Sequence, residues 1–377
     1  MTRRAAAVAI GAGVGLSALI LASCAAPTEE RDTGGGDGGV AAAEATSAED
    51  FGGMDELIAA AQEEGELNVI ALPPDWANYG EIIDTFAEKY DITVNSDQPD
   101  AASQDEINAA EQLQGTDRAP DVFDLGQSVA LANTDMFAPY QVETWDDIPD
   151  EFKDPDGTWV NDYGGFMSIG YDSAEVPEVS TLDDLLGSEF RGKVALNGDP
   201  TQAGAAFSGV VMAAVANGGS ADDVAPGVEY FQKLNDAGNF LPVDPTPATV
   251  ESGQTPVVID WDYLNAALAK DLPTWKVVVP ENAAVAGYYF QAVNADAPHP
   301  AAARLWQEFL YSDEGQNLWL KGGARPVRAE AMAEAGTIDQ ELYDALPEVS
   351  GEPVIPTNEQ TEKAAEYLAE NWAKVVG

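Results

Sequence analysis

From residue 54 onward the chain alternates short apolar runs with amphipathic stretches. Met54–Glu64 has helical spacing and is closed by Gly65, and ELNVIAL (66–72) reads as a buried strand stopped by Pro73-Pro74. Between Tyr79 and Tyr90 the apolar residues Ile82, Ile83, Phe86 and Tyr90 share one helical face, with Glu81, Asp84 and Glu88 turned outward. Residues 92–94 continue as strand, 103–114 as a polar helix, and DVFDL (121–125) as a third strand ending at Gly126-Gln127-Ser128. The alternation predicts an α/β fold, a mostly parallel sheet with helices on both faces.

The middle of the chain keeps this rhythm. Helices are predicted over 182–186, 203–216 and 228–237, and strands over 193–196, 257–259, 276–279 and 289–293. A helix over 301–311 has Pro300 in its first turn and Leu305, Trp306, Phe309 and Leu310 on one face. Two more helices, near 338–346 and 358–375, end the chain, and no long internal repeat is found.

Ahead of these elements, Arg3 and Arg4 precede an apolar run over 5–21, which leads into Leu21-Ala22-Ser23-Cys24. That pattern predicts an export signal over 1–23, too short and too close to the N-terminus to read as a retained membrane helix. Cys24 is the only cysteine and sits at the cleavage point, so it reads as a lipidation site that anchors the chain to the outer face of the cell membrane. Residues 24–50 contain Gly34-Gly35-Gly36-Asp37-Gly38-Gly39 and an Ala/Glu/Ser stretch, and predict a flexible linker. With Cys24 lipidated no disulfide forms, so the 354 remaining residues (377 − 23) must be held by packing.

Charge narrows the partners. There are 17 basic and 66 acidic residues, a net of −49 that becomes −51 once Arg3 and Arg4 leave with the signal. A chain so acidic repels phosphate polymers and anionic headgroups, which excludes nucleic acid and leaves the lipid as the membrane attachment. The same field either concentrates cationic solutes or serves solubility, since the acids are spread over the whole length.

Catalytic chemistry is sparse. The single histidine, His299, lies between Pro298 and Pro300 and reads as a turn or cap residue. There is no nucleophile elbow, zinc spacing or phosphate-cradling loop. The acid pairs Asp146-Asp147, Asp183-Asp184 and Asp222-Asp223 occupy turn or helix-start contexts, and Asp154-Pro155-Asp156-Gly157 reads as a tight turn. A secreted carbohydrate hydrolase using paired carboxylates is the rival from another class, and a surface adhesin is a third reading. The chain is expected to be no enzyme, with no cofactor and no resident metal.

What remains is a set of rings and acids at predicted strand ends. Asp75, Trp76 and Tyr79 follow the first strand, Gln127 and Ser128 the DVFDL strand, and Asp260, Trp261, Asp262 and Tyr263 the TPVVI strand. Ligands of open α/β sheets sit beyond such carboxyl ends, and carboxylates with ring faces suit a cation.

Five segments resemble the bacterial ABC-transporter substrate-binding lipoproteins: PDWANYGEIIDTFAEKYDITV, RAPDVFDLG, TLDDLLGSEFRGKVALNGDPTQAG, TPVVIDWDY and NADAPHPAAARLWQEFLYSDEGQ. The resemblance covers nearly all of 66–330 and is nearest to the branch of ferric-iron, thiamine, polyamine and aminophosphonate binders. It implies a two-lobed type 2 periplasmic-binding-protein fold, with lobe 1 over 51–165 and 285–330, lobe 2 over 166–284, and C-terminal helices (331–377) on lobe 2. It also implies a monomer that passes a small solute, unchanged, to an ABC permease.

Within that branch the acids and rings at Asp75, Trp76, Tyr79 and 260–263 match polyamine binders by residue type, and a polyamine or thiamine-like cation is the expected solute. Thr201, Gln202 and Gly204, in a loop opening a helix, are expected to meet a carbonyl or anionic part of it. Ferric-iron binders carry twin tyrosines near the segment where this chain has only Tyr263. Tyr288, with Tyr289 beside it, comes later on the return strand, so ferric iron or an aminophosphonate is the alternative cargo.

Overall fold

A computed structural model describes residues 40–346, 349 and 353–376. The signal, Cys24 and most of the predicted linker lie outside the described residues. The strands are β1 (Glu66–Ile70), β2 (Thr93–Asp97), β3 (Val122–Leu125), β4 (Phe137–Ala138) and β5 (Val160–Asp172), followed by β6 (Val194–Leu196), β7 (Val257–Trp261), β8 (Trp275–Val278), β9 (Ala286–Asn294) and β10 (Arg325–Pro326). β1 and β2 form a parallel pair, and the other eight strands form a sheet ordered β3-β9-β5-β7-β6, with β4 beside β9 and both β8 and β10 beside β5.

The fold is α/β with two lobes, and its sheet is mixed rather than mostly parallel. Only β1–β2 and β6–β7 run parallel, whereas β5 is antiparallel to β7, β8, β9 and β10 and β3 is antiparallel to β9. The long β5 accounts for the difference. Its first half pairs with β9 as far as Phe166↔Ala286, and from Met167↔Trp261 onward it pairs with β7. One strand thereby serves both lobes, and its partners return against it. This strand had no counterpart among the sequence-predicted elements.

Helical spacing is reproduced where the apolar face is wide. Tyr79–Tyr90 buries Tyr79, Ile82, Phe86 and Tyr90, and Pro300–Leu310 is buried along its whole length. The two meet at Phe86 and Trp306, whose ring centroids are 5.0 Å apart. His299 precedes the second helix; its Nδ1 lies 2.9 Å from Asp121 Oδ2, and its backbone N–H donates to Asp121 Oδ1. In the other lobe, Gly204–Ala216 is apolar on nearly every face because it is wrapped by its neighbours.

Two segments depart from the sequence reading. The predicted linker ends early: Ala42, Ala45 and Ala48 are buried, small residues at threefold spacing that let the chain lie close. Arg304 clamps this stretch by donating to the carbonyls of Ala43 and Ala45. The C-terminal helix Asn358–Asn371 touches both sides of the molecule instead of one. Gln127 after β3 binds Asn358, Pro356 and Thr361, while Gln360 binds Asp222, and Trp372 packs on Phe231 and Phe240.

Candidate functional site: an acid-and-ring cleft

The carboxyl ends of β1, β2, β6 and β7 open onto a cavity of about 490 Å³. That volume lies within the ~300–1,000 Å³ usual for small-molecule sites. Its acids are Asp75, Asp100, Glu106, Asp124, Asp244, Glu251, Asp260 and Asp271, and none of its described lining residues is Lys, Arg or His. Trp76 and Tyr289 supply the rings. Asn197, Gly198 and Gly204 complete the lining after β6.

Asp124 on β3 is the best-organised of these acids. Its Oδ2 accepts from Tyr79 (2.8 Å) and Tyr163 (2.9 Å), and the Trp76 indole N–H donates to the same Tyr163 hydroxyl (2.8 Å). Gln291 in turn donates to Tyr79 Oη, so two tyrosines hold the carboxylate, and Trp76 and Gln291 hold the tyrosines. Asp124 Oδ1 has no partner among the described residues. Desolvation by burial pushes the Asp124 carboxyl from 3.8 up to about 7, more than the two phenol hydrogen bonds pull it down. Glu106, which accepts from the Asp124 backbone N–H, is also raised well above the ordinary range, chiefly by desolvation and then by the Asp124 charge.

Asp260 faces the cavity from β7. Its Oδ1 accepts from the Trp261 N–H and its Oδ2 from Asn197, both at 2.8 Å, and burial raises it to about 7. The rings interlock behind it: Trp76 packs edge-on against Tyr289 (5.7 Å) and Tyr263 (6.4 Å), and Trp261 donates to the Tyr289 hydroxyl. The loop carrying Asp75 and Trp76 holds Ala71, Ala77 and Asn78 at φ of 56°, 46° and 70°, left-handed conformations that cost about 1–3 kcal/mol for non-glycine residues. Such strain is consistent with a loop whose shape is set by what it presents.

The sequence-predicted residues divide into two groups. Asp75, Trp76, Gly204 and Asp260 line the cavity, with Tyr79, Trp261 and Tyr263 buried behind it as supports. Gln127 is instead committed to the C-terminal helix, and Ser128 is not a lining residue. Asp262 is taken by Arg325 at 2.7 Å and by the backbone N–H groups of Phe166 and Tyr263, and it is not a lining residue of the cavity. Thr201 and Gln202 are exposed, the Thr201 hydroxyl being bound to Asp199. Tyr288 packs on Phe152 (4.6 Å) outside the cavity, and its neighbour Tyr289 takes the lining position, because adjacent strand residues face opposite ways.

Asp124, Glu106, Asn197 and Tyr163 are not among the sequence-predicted residues, and Tyr289 is named there only beside Tyr288. Asp124 was visible as the acid inside an otherwise apolar strand, where an unpaired carboxylate is costly and therefore informative. The three acid pairs put forward for hydrolysis are exposed and lie outside the cavity, so that alternative finds no support.

A two-lobed α/β body around such a cleft defines a receptor for a small solute. Residues 120–345 match the family described as bacterial extracellular solute-binding protein. The chain belongs to that family, whose members bind solutes outside the cytoplasm for ABC import, and no described helix is long and apolar enough to cross a membrane. No curated protein matches the chain. Among solved structures, the periplasmic binding protein P5PA is 17% identical with a TM-score of 0.64, over 83% of this chain and 100% of that one. A ferric binding protein from Campylobacter jejuni is 19% identical with a TM-score of 0.61 (82% and 99%). A putative spermidine/putrescine ABC transporter from Listeria monocytogenes is 13% identical with a TM-score of 0.62 (82% and 98%). At these identities the likeness is one of fold.

Proposed function

We propose that this receptor captures a small organic cation and delivers it unchanged to an ABC permease, acting as a monomer tethered through lipidated Cys24. The observation that carries the reading is the lining: eight acids and two rings, without a basic side chain among the described lining residues. An anionic solute would meet uncompensated carboxylates, whereas a cation gains from Asp124 and from the Trp76 and Tyr289 faces, a ring contributing about 0.5–2 kcal/mol. The same lining argues against a phosphonate.

The test is thermal denaturation of the full chain against polyamines, thiamine, amino acids, sugars, sugar phosphates and ferric citrate. A solute bound at 100 times its Kd stabilises by about 2.7 kcal/mol. Stabilisation confined to organic cations supports the reading, and a shift with sugar phosphate or ferric citrate alone overturns it.

A further inference from the structure

Acids do not make up the whole wall of the cleft. Part of it is aliphatic, beside Asp271 and Glu251. The helix Asp262–Asp271, which begins directly after β7, turns Leu264, Ala267 and Leu268 toward the cavity, and Leu272 follows at its end. These positions are spaced i, i+3, i+4 and i+8, one continuous helical face. All four are half-buried, and Val250 and Val258 extend the same surface into the lobe. These four positions offer no polar partner to the amines that recur along a polyamine; the polar groups beside them are Asp271 of the same helix and Glu251.

Building on the organic-cation reading above, we propose that the solute carries an apolar body on its cationic group, and that Leu264, Ala267, Leu268 and Leu272 form the subsite that seats this body. The cation lies toward Asp124 and the Trp76 and Tyr289 rings. The body lies along the helix, where each buried methylene strengthens binding by about fourfold. Specificity then comes from two features of one cleft: acids reject anions, and leucines reward apolar length.

Calorimetric titration of the full chain with a series from ethylammonium to hexylammonium tests this, with putrescine, spermidine and hexanoate alongside. The expected result is affinity that climbs about fourfold per methylene, hexylammonium binding more tightly than putrescine, and no binding of hexanoate. In Leu268→Asn, and independently in Leu272→Asn at the helix end, the slope per methylene should fall below about twofold. A flat series in the unaltered protein, with putrescine or spermidine bound, overturns the apolar subsite and leaves the cation reading standing. Uniform weakening in the variants with an unchanged slope overturns it as well, marking the leucines as packing on Val250, Val258 and Trp275. Preference for hexanoate, or binding of no cation in the set, overturns the cation reading and the subsite together.

Discussion

Gly126 and Gly204 meet backbone to backbone at the edge of the cleft: a Cβ on Gly126 would stand 2.6 Å from the Gly204 Cα and 2.9 Å from its amide nitrogen. Gly126 follows β3, and Gly204 opens the helix Gly204–Ala216 and lines the cavity. The pair sets how closely the end of β3 approaches that helix. Gly126 has φ of −63°, an ordinary value, so a methyl group there acts through space alone and not through backbone strain.

Gly126→Ala should therefore hold the end of β3 and that helix apart without unfolding either one. Overpacking of this kind costs about 1–3 kcal/mol, expected here as weaker solute binding and a larger radius of gyration by small-angle scattering in the presence of solute. Unchanged affinity would show that the contact is incidental to closure.

Trp76 and Trp261 should respond oppositely to truncation. Trp76 lines the cavity and is half-buried, so Trp76→Ala is expected to cost two- to thirtyfold in affinity, the equivalent of about 0.5–2 kcal/mol. Trp261 is buried behind Tyr289, so Trp261→Ala is expected to lower stability by about 3–5 kcal/mol. Chemical denaturation beside titration calorimetry separates the two, and equal losses of affinity and stability at Trp76 would mark it as packing.

Asp124→Asn keeps an acceptor for Tyr79 and Tyr163 while removing a buried charge. The empty protein should melt at a higher temperature at pH 8, because an ionised carboxylate no longer has to be buried. Cation affinity should fall at least about tenfold. A variant that binds the solute as well as the unaltered chain would remove Asp124 from the site.

Solute binding should strengthen with pH. Asp124 and Asp260 rise from 3.8 to about 7 in the folded chain, so between these values the folded state holds protons that the unfolded state has lost. Their contribution to stability is thus complete below pH 3.8 and is lost as pH rises through 7. A bound cation favours the carboxylate and reverses that loss. Affinity should climb toward pH 7 by up to about tenfold per pH unit for each proton released, then level off. Titrations from pH 5 to pH 8 with proton release measured in two buffers check both sign and slope.

The parts of this molecule legible in its sequence are those whose burial is one-sided. Tyr79–Tyr90 shows its core face because its other face is wet. β5 hid for the opposite reason. Its sequence VNDYGGFMSIGYD is buried on both sides, so alternation vanishes, and Asn161, Asp162, Gly164 and Gly165 imitate a loop. Gly165 is required there, since a Cβ would lie 2.5 Å from Asp262 Oδ1 and 2.7 Å from the Tyr263 ring. The site divided along similar lines. Rings and acids at strand ends could be read locally, but whether an acid faces a solute or a partner depends on residues far along the chain. Asp262 is claimed by Arg325 and Asp124 by Tyr163, separations of 63 and 39 residues.

The cleft's selectivity is tested most directly by the solute that travels with the protein. Gentle purification of the full chain, followed by denaturation and mass spectrometry of what is released, should yield an organic cation bearing an apolar group. Release of a phosphate ester, a carboxylate or ferric iron in stoichiometric amount would contradict the account.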